Sequence, residues 1–315
     1  MKGQEIITSS GSPINFKNYL IVKGLATNTV ESVYGDVMQY INWTAEENIE
    51  SENCTYNDVI AYVQYLKKRK LKQRTAQVYV GSIKHYYNWL IRLEKIEINP
   101  VNNVVIKGVK RKTLYNLLNK KELESLYNDY SIKEDSEACN HNKNKASELA
   151  NKRNKVMIGL MVWQGLGSKE LGGLTVEDVK LRAGKIYIKG SRRSNERELK
   201  LEPQQMLDLM EYTLKTREEI LNYTNRQTTT LFLGIGQSSA ISNTMSKLME
   251  KLKKQNKQVE SIKQIRTSVI THWLKQYNLR EVQYMAGHRY VSSTEAYKIN
   301  DIEGLQEEVD KYFPI

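Results

Sequence analysis

Cysteine is nearly absent from this chain of 315 residues. Only Cys54 and Cys139 are present, too few for a disulfide framework or a four-cysteine zinc site. Cys139-Asn-His141 places two metal-type ligands together, but the surroundings are polar and supply no further ligand. That pair reads as incidental, and no metal or other cofactor is expected. Long apolar runs are missing as well. None approaches the roughly 20 residues that a membrane-spanning helix needs, and the amino terminus lacks the pattern of a secretory signal. There is no internal repeat and no low-complexity tract. The chain therefore reads as cytoplasmic, non-membrane, and long enough for two ordinary domains with sizeable cores.

Charge is plentiful and one-sided. Lys and Arg total 48 against 36 acidic residues, a formal net charge of +12. Such a balance suits a polyanionic partner, with binding that weakens steeply as salt rises. Alone it suits a well-solvated surface equally well.

Apolar periodicity divides the chain in two. From Asn15 to Pro100 it predicts a small helical bundle. Thr27 or Asn28 is placed to cap a helix with Val33, Val37, Tyr40 and Ile41 on one face. Thr55-x-x-Asp58 opens a second helix as a capping box, with Val59, Tyr62, Val63 and Leu66 as its stripe. A third starts near Arg74 or Thr75 and turns Val80, Ile83, Tyr87, Leu90 and Ile91 inward. Pro100 closes the unit, and a basic stretch, Lys107 to Lys112, leads onward. Beyond it, helices are expected at Lys120–Tyr127, Val156–Trp163, Pro203 to about Asn222, Met245–Lys254 and Thr267–Lys275. The polar segment Ser131 to Asn151 reads as an irregular insertion. Lys185–Ile188 and Glu198–Leu201 alternate like two strands joined by a basic turn.

The last third holds Lys263-Gln-Ile-Arg266, then Gly287-His288, then Tyr297, nine residues after the histidine. Arginine and histidine suit gripping a phosphate and exchanging protons with it. A tyrosine beside them is a candidate nucleophile. Singly, each has a plainer reading: Tyr297 as one of 20 packing or surface tyrosines, Arg266 as an ion-pair residue, His288 as a helix cap after a glycine turn. Taken with its spacing, the set resembles the carboxy-terminal active-site box of the tyrosine recombinases, or phage-type integrases, written H-x-x-R, G-H, Y.

The resemblance extends to the amino-terminal half, through Phe16-x-x-Tyr19-Leu20, Gly24-Leu25-Ala26-x-x-Thr29, Arg74-Thr75 and Tyr86-Tyr87-x-Trp89-Leu90. It implies a mainly α chain with a small β-sheet: a helical, SAM-like core-binding domain over 1–107, a linker over 108–115, and a mixed α/β catalytic domain over 116–315. In such a bundle Lys72, Arg74, Lys84 and His85 are phosphate contacts, which position a protein without reading sequence. The resemblance further implies cleavage of double-stranded DNA through a covalent 3′-phosphotyrosyl link, without ATP or metal, by four copies on two DNA sites. Accessory DNA-bending proteins and a bacterial nucleoid setting belong to the same picture. The amphipathic spacing of Ile302, Leu305 and Val309 suits packing on a neighbouring subunit or back on its own. The wording from Trp273 to Tyr290 is similar to integrases of Bacteroidetes mobile elements.

Roles follow from the chemistry. A phenol with a pKa near 10 is a poor nucleophile until its proton leaves. The transition state concentrates charge on the non-bridging oxygens, which calls for guanidinium donors. The departing 5′ oxygen needs a proton. The resemblance assigns Tyr297 as nucleophile, Arg266 as clamp and His288 as donor, with Lys263 at the first H-x-x-R position. Lys189, in Ile188-Lys189-Gly190, matches the hairpin lysine that acts as general acid, with Arg192 and Arg193 as competitors for phosphate contact. His272 reads as structural. One position departs from the pattern. Where the family motif G-L-R-x-x-E-L carries the second clamp arginine, the chain has Gly165-Leu166-Gly167-Ser168-Lys169-Glu170-Leu171. Losing such a donor costs about 2–4 kcal/mol of transition-state stabilisation. Arg153, Arg192 and Arg193 are the expected sources of compensation. If none compensates, the chain is a recombinase-like DNA-binding protein with impaired cleavage.

Overall fold

The computed structural model describes residues 15–108, 115–132, 141–236 and 241–298. The chain divides into two compact units, Met1–Thr113 and Leu114–Ile315. The Lys107–Lys112 stretch beyond Gly108, Cys139 and the Ile302–Val309 stripe lie outside the described residues.

Among its described residues the amino-terminal unit has four helices, α1 (Phe16–Val22), α2 (Thr27–Glu46), α3 (Tyr56–Lys68) and α4 (Gln73–Arg92). The Thr55–Asp58 capping box forms as expected: Thr55 N–H donates to Asp58 at 2.7 Å and the Thr55 hydroxyl accepts from Asp58 N–H at 3.4 Å. Helix α2 differs. Its cap is Ala26, without a side-chain bond, so Thr27 is already helical. Apolar stripes from all four helices meet in one core rich in aromatic rings, including Phe16, Tyr40, Trp43, Tyr62, Tyr86, Tyr87 and Trp89. Ile91, expected inward, is only partly buried and outside that core. Pro100 does not end the unit. The Asn99 side chain donates to Lys84 O and accepts from Val101 N–H, folding the chain back so that Val101 is buried and Val104 and Ile106 pack behind it.

The second unit opens with α5 (Lys120–Asn128), capped by an Asn119–Glu122 box. Helix α6 runs from His141 to Val162, so the second half of the expected insertion is helical. The reason is tertiary. Asn151 and Arg153, polar in the sequence, face inward, and Asn151 bonds Ile132 O and the Tyr130 hydroxyl. After α7 (Ser168–Gly173) comes a three-stranded antiparallel sheet in the order β1 (Val179–Lys180), β2 (Lys185–Ile188), β3 (Arg197–Lys200). The two-residue β1 is too short to show a period. Helix α8 (Pro203–Glu211) continues through a π turn at Tyr212–Thr216 into α9 (Arg217–Thr224). Then follow α10 (Ile241–Gln255), α11 (Ile262–Gln276), α12 (Leu279–Ala286) and α13 (Val291–Glu295). Helix α11 starts five residues before the expected Thr267, because Ser261 caps it by accepting from Gln264 N–H. Among the described residues no helix is long and apolar enough to cross a membrane. The same residues contain no group of three or more His, Cys, Asp or Glu side chains arranged to hold a metal.

Candidate active site

The early start of α11 sets Arg266 in place. Gln264, fully buried, donates to Asn116 O and Gln258 O at 2.8 Å and anchors the first turn. One turn on, Arg266 joins three segments. It donates to Gly165 O and Ala286 O, both at 2.7 Å, and to Glu170 Oε2 at 2.5 Å. Gly165 has φ +59°, and a Cβ there would press on Val269 and Trp273 at 3.2 and 3.3 Å. Glycine is needed on both counts.

Helix α12 ends at Gly287, whose φ of +70° lets it cap the helix in the left-handed region. The next residue, His288, is gripped by its backbone: its N–H donates to Gln283 O, and its carbonyl accepts from the Gln283 side chain. The β2–β3 turn lies against the same corner, with Asn195 N–H donating to Gly287 O at 2.9 Å and a bridge between Ser194 and His288. Tyr297 follows α13, and its ring stacks on the His288 ring with centroids 5.5 Å apart and planes 19° from parallel. His288 Nδ1 lies 2.9 Å from the hydroxyl of Thr294. The Gly-His to Tyr spacing thus brings histidine and tyrosine into contact across one short helix.

A second guanidinium, which sequence reasoning missed, enters from the sheet. Arg197 on β3 is wholly buried in its side chain. Its Nε donates to Met285 O at 2.7 Å and one Nη to Glu170 Oε1 at 2.8 Å. The other Nη is buried without a partner among the described residues. A Cβ on Gly287 would overlap that Nη and come within 2.9 Å of the guanidinium carbon. Gly287 therefore serves the helix cap and also makes room for Arg197. Position 167, where the arginine is missing, lies beside the same cluster: its N–H donates to Glu170 Oε2, and a Cβ there would meet Glu170 at 3.7 Å and Arg266 at 3.9 Å. The available signal was Arg197 alternating with the core residues Leu199 and Leu201, a cation at an inward strand position. Reading the strand from Glu198 left it out.

Two guanidiniums share one carboxylate, so the cluster keeps an excess positive charge. Burial pushes the Glu170 carboxyl up, but Arg266, Arg197 and the Gly167 amide together hold it below its ordinary value. Burial, reinforced by Arg266 and Arg197, drives His288 down to about 4, with Glu170 opposing. The imidazole is neutral at neutral pH.

The remaining candidates fall in different places. Lys189, exposed at the end of β2, pairs with the buried Asp178 carboxylate at 3.3 Å and donates to the Thr175 hydroxyl at 3.1 Å. Lys263 is exposed, with its ammonium 5.8 Å from the Tyr115 ring centre. Arg192 and Arg193 lie exposed in the β2–β3 turn, where Arg289 also donates to Ser191 O. Arg153 does not join the cluster. It is buried, and its donors go to Leu233 O at 2.6 Å and to Asn154, which corrects its candidacy as a compensating donor. His272 bonds Leu118 O at 2.8 Å. In the amino-terminal unit Lys72, Arg74 and Lys84 are exposed on or next to α4, with Arg74 on Gln77 at 2.9 Å. His85 is half-buried beside Lys23, and burial together with that ammonium lowers its pKa.

The sequence and the fold match known proteins. Residues 117–303 match the phage integrase family and residues 14–94 its N-terminal SAM-like domain. The chain belongs to the phage integrase family, a family of tyrosine recombinases. It is 24% identical to the tyrosine recombinase XerD of Shewanella oneidensis over 296 residues, covering 93% of this chain and 92% of that one. It is also 24% identical to XerD of Oceanobacillus iheyensis over 299 residues, 93% and 95% of the two chains. Among solved structures, XerH recombinase bound to a palindromic difH substrate shares the fold with a TM-score of 0.69 at 18% identity, over 94% of this chain and 83% of that one. A lambda integrase dimer bound to a COC′ core site gives 0.62 at 14%, over 91% and 93%.

Proposed function

We propose that the protein is a site-specific DNA recombinase that cuts and rejoins strands through Tyr297. The observation that carries this reading is the convergence of Arg266 and Arg197 on Glu170, next to a histidine stacked on the tyrosine. An excess positive charge held by preorganised donors is what a phosphoryl transition state requires. In this reading the Tyr297 oxygen attacks the scissile phosphorus as the phenolic proton passes to solvent. The P–O5′ bond breaks, leaving a 3′-phosphotyrosyl link. Lys189, released from Asp178, supplies the proton that the 5′ oxygen takes. Arg266, Arg197 and His288 hold the non-bridging oxygens, and Lys263 adds a cation at the edge of the site. Attack by a 5′ hydroxyl from the partner duplex reverses the chemistry, through a Holliday junction and without an external energy source.

The domain assignment supports the same picture: 1–107 as the core-binding unit, with Lys72, Arg74, Lys84 and His85 toward the phosphates, and 116–315 as the catalytic one. A homo-tetramer on two duplexes, helped by DNA-bending proteins in the bacterial cytoplasm, completes it. The replaced first-box arginine and the wording around Trp273–Tyr290 favour an integrase of a mobile element. The competing reading, a DNA-binding protein that cannot cut, rests on Gly167, and Arg197 removes most of its force. The test is incubation, in EDTA, with nicked duplexes tiling the DNA that flanks the gene. A covalent adduct is expected with the wild type and none with Tyr297→Phe. Wild type without adduct on every duplex, or an equal yield from the variant, rejects the reading.

A further inference from the structure

We propose that Thr294 is a positioning residue that locks His288 in the tautomer with its proton on Nε2, making the ring a hydrogen-bond donor toward the scissile phosphate. Only the last step rests on the recombinase reading. The tautomer is a property of the free protein.

A neutral imidazole carries one donor and one acceptor nitrogen, and its neighbours decide which is which. Thr294 is fully buried, and its hydroxyl lies 2.9 Å from Nδ1. Among the described residues that hydroxyl has no other partner. Many helical threonines bond the carbonyl four residues back, as Thr213 does to Leu209 and Thr224 to Ile220, but Thr294 does not. If Nδ1 carried the proton, Thr294 would accept it and its own hydroxyl hydrogen would be stranded in the interior, desolvated and unpaired. If Thr294 donates, both groups are satisfied, Nδ1 is the acceptor and the proton sits on Nε2. Nε2 makes no hydrogen bond among the described residues and is absent from the buried unpaired atoms, so it is open to a ligand. The ring has little freedom to escape this choice: Tyr297 stacks on one face and Gln283 holds the backbone on both sides. The downward shift of His288 agrees, since it keeps the imidazole neutral at neutral pH. Charge alone leaves the two tautomers undecided. The threonine breaks the tie.

The test reads the tautomer directly. Histidine labelled with 15N in the full chain at pH 7.5, with His288 assigned by the loss of its signals in His288→Gln, should show the Nε2–H form alone. Thr294→Val keeps the shape and removes the hydroxyl, so it should yield a mixture, while Thr294→Ser should restore the single form. On a nicked duplex that gives an adduct, Thr294→Val should slow single-turnover cleavage about tenfold, the worth of one hydrogen bond, with DNA binding unchanged, and Thr294→Ser should recover most of it. An Nδ1–H form in the wild type, or an unaltered spectrum in Thr294→Val, overturns the proposal. So does equal slowing by Val and Ser, which would mark a packing role. If the wild type forms no adduct, the recombinase reading fails while the spectrum still decides the tautomer.

Discussion

The two units bury polar groups in opposite ways. In the amino-terminal unit they are neutral. The Tyr40 and Tyr87 hydroxyls meet at 2.7 Å, Tyr87 donates on to Ser51 O at 2.9 Å, and Tyr86 pairs with the Ser51 hydroxyl at 3.0 Å. Such a network costs little to desolvate once paired, and it fixes how aromatic rings pack. In the catalytic unit the interior holds Arg197, Glu170 and Arg266. Arg197 is fully buried and Glu170 and Arg266 mostly so; taking such charges out of water is expensive, and apolar residues would stabilise a core at least as well. The cluster is also unbalanced by one positive charge, with a buried Nη unpaired among the described residues. A core built only for stability has no use for that arrangement. It suits the phosphate-holding role proposed above.

The sharpest way to break this contrast is Glu170→Gln. It leaves two guanidiniums without their carboxylate and should destabilise the protein by about 3–5 kcal/mol, read as a lower urea midpoint of the full chain. A midpoint close to wild type would mean that the charges are well solvated and the contrast false. Next in size is Arg197→Ala. It should slow cleavage about 100- to 1,000-fold, the usual worth of one transition-state donor, with duplex affinity little changed. Gly167→Arg in the same background should recover part of the loss, since position 167 has ordinary space for a Cβ and borders the same cluster. Cleavage unaffected by Arg197→Ala would remove Arg197 from the clamp. The smallest effect belongs to the other unit. Tyr40→Phe removes one hydroxyl while Tyr87 keeps Ser51 O, so it should cost about 1 kcal/mol and leave the cleavage rate alone. A change in cleavage as large as that of Arg197→Ala would show that the neutral network is functional after all.

Much of the fold was legible locally. The Thr55–Asp58 box, the stripe Val59–Leu66 and strand β2 at Lys185–Ile188 all form where short-range pattern puts them, because capping and side-chain period depend on residues a few positions apart. Errors arose where a partner distant in sequence decided the matter. The first half of helix α6, ahead of the expected Val156–Trp163, reads as a loop because inward polar residues such as Asn151 find Ile132 O and Tyr130. Arg153, on the helix preceding the first box, reads as a candidate donor, yet Leu233 O, 80 residues away, claims it.

The site divides along the same line. The order Arg266, Gly287-His288, Tyr297 is a property of the sequence, and it determined the family and the candidate nucleophile, because the span from His288 to Tyr297 is one turn and one short helix. The second guanidinium belongs to the tertiary structure. Arg197 meets Glu170 across 27 residues and Met285 across 88, through a strand register that turns it inward beside a glycine with no side chain to block it. Periodicity carries no information about contacts of that range. Only packing the sheet against the Gly287 corner brings a second guanidinium onto Glu170, beside position 167.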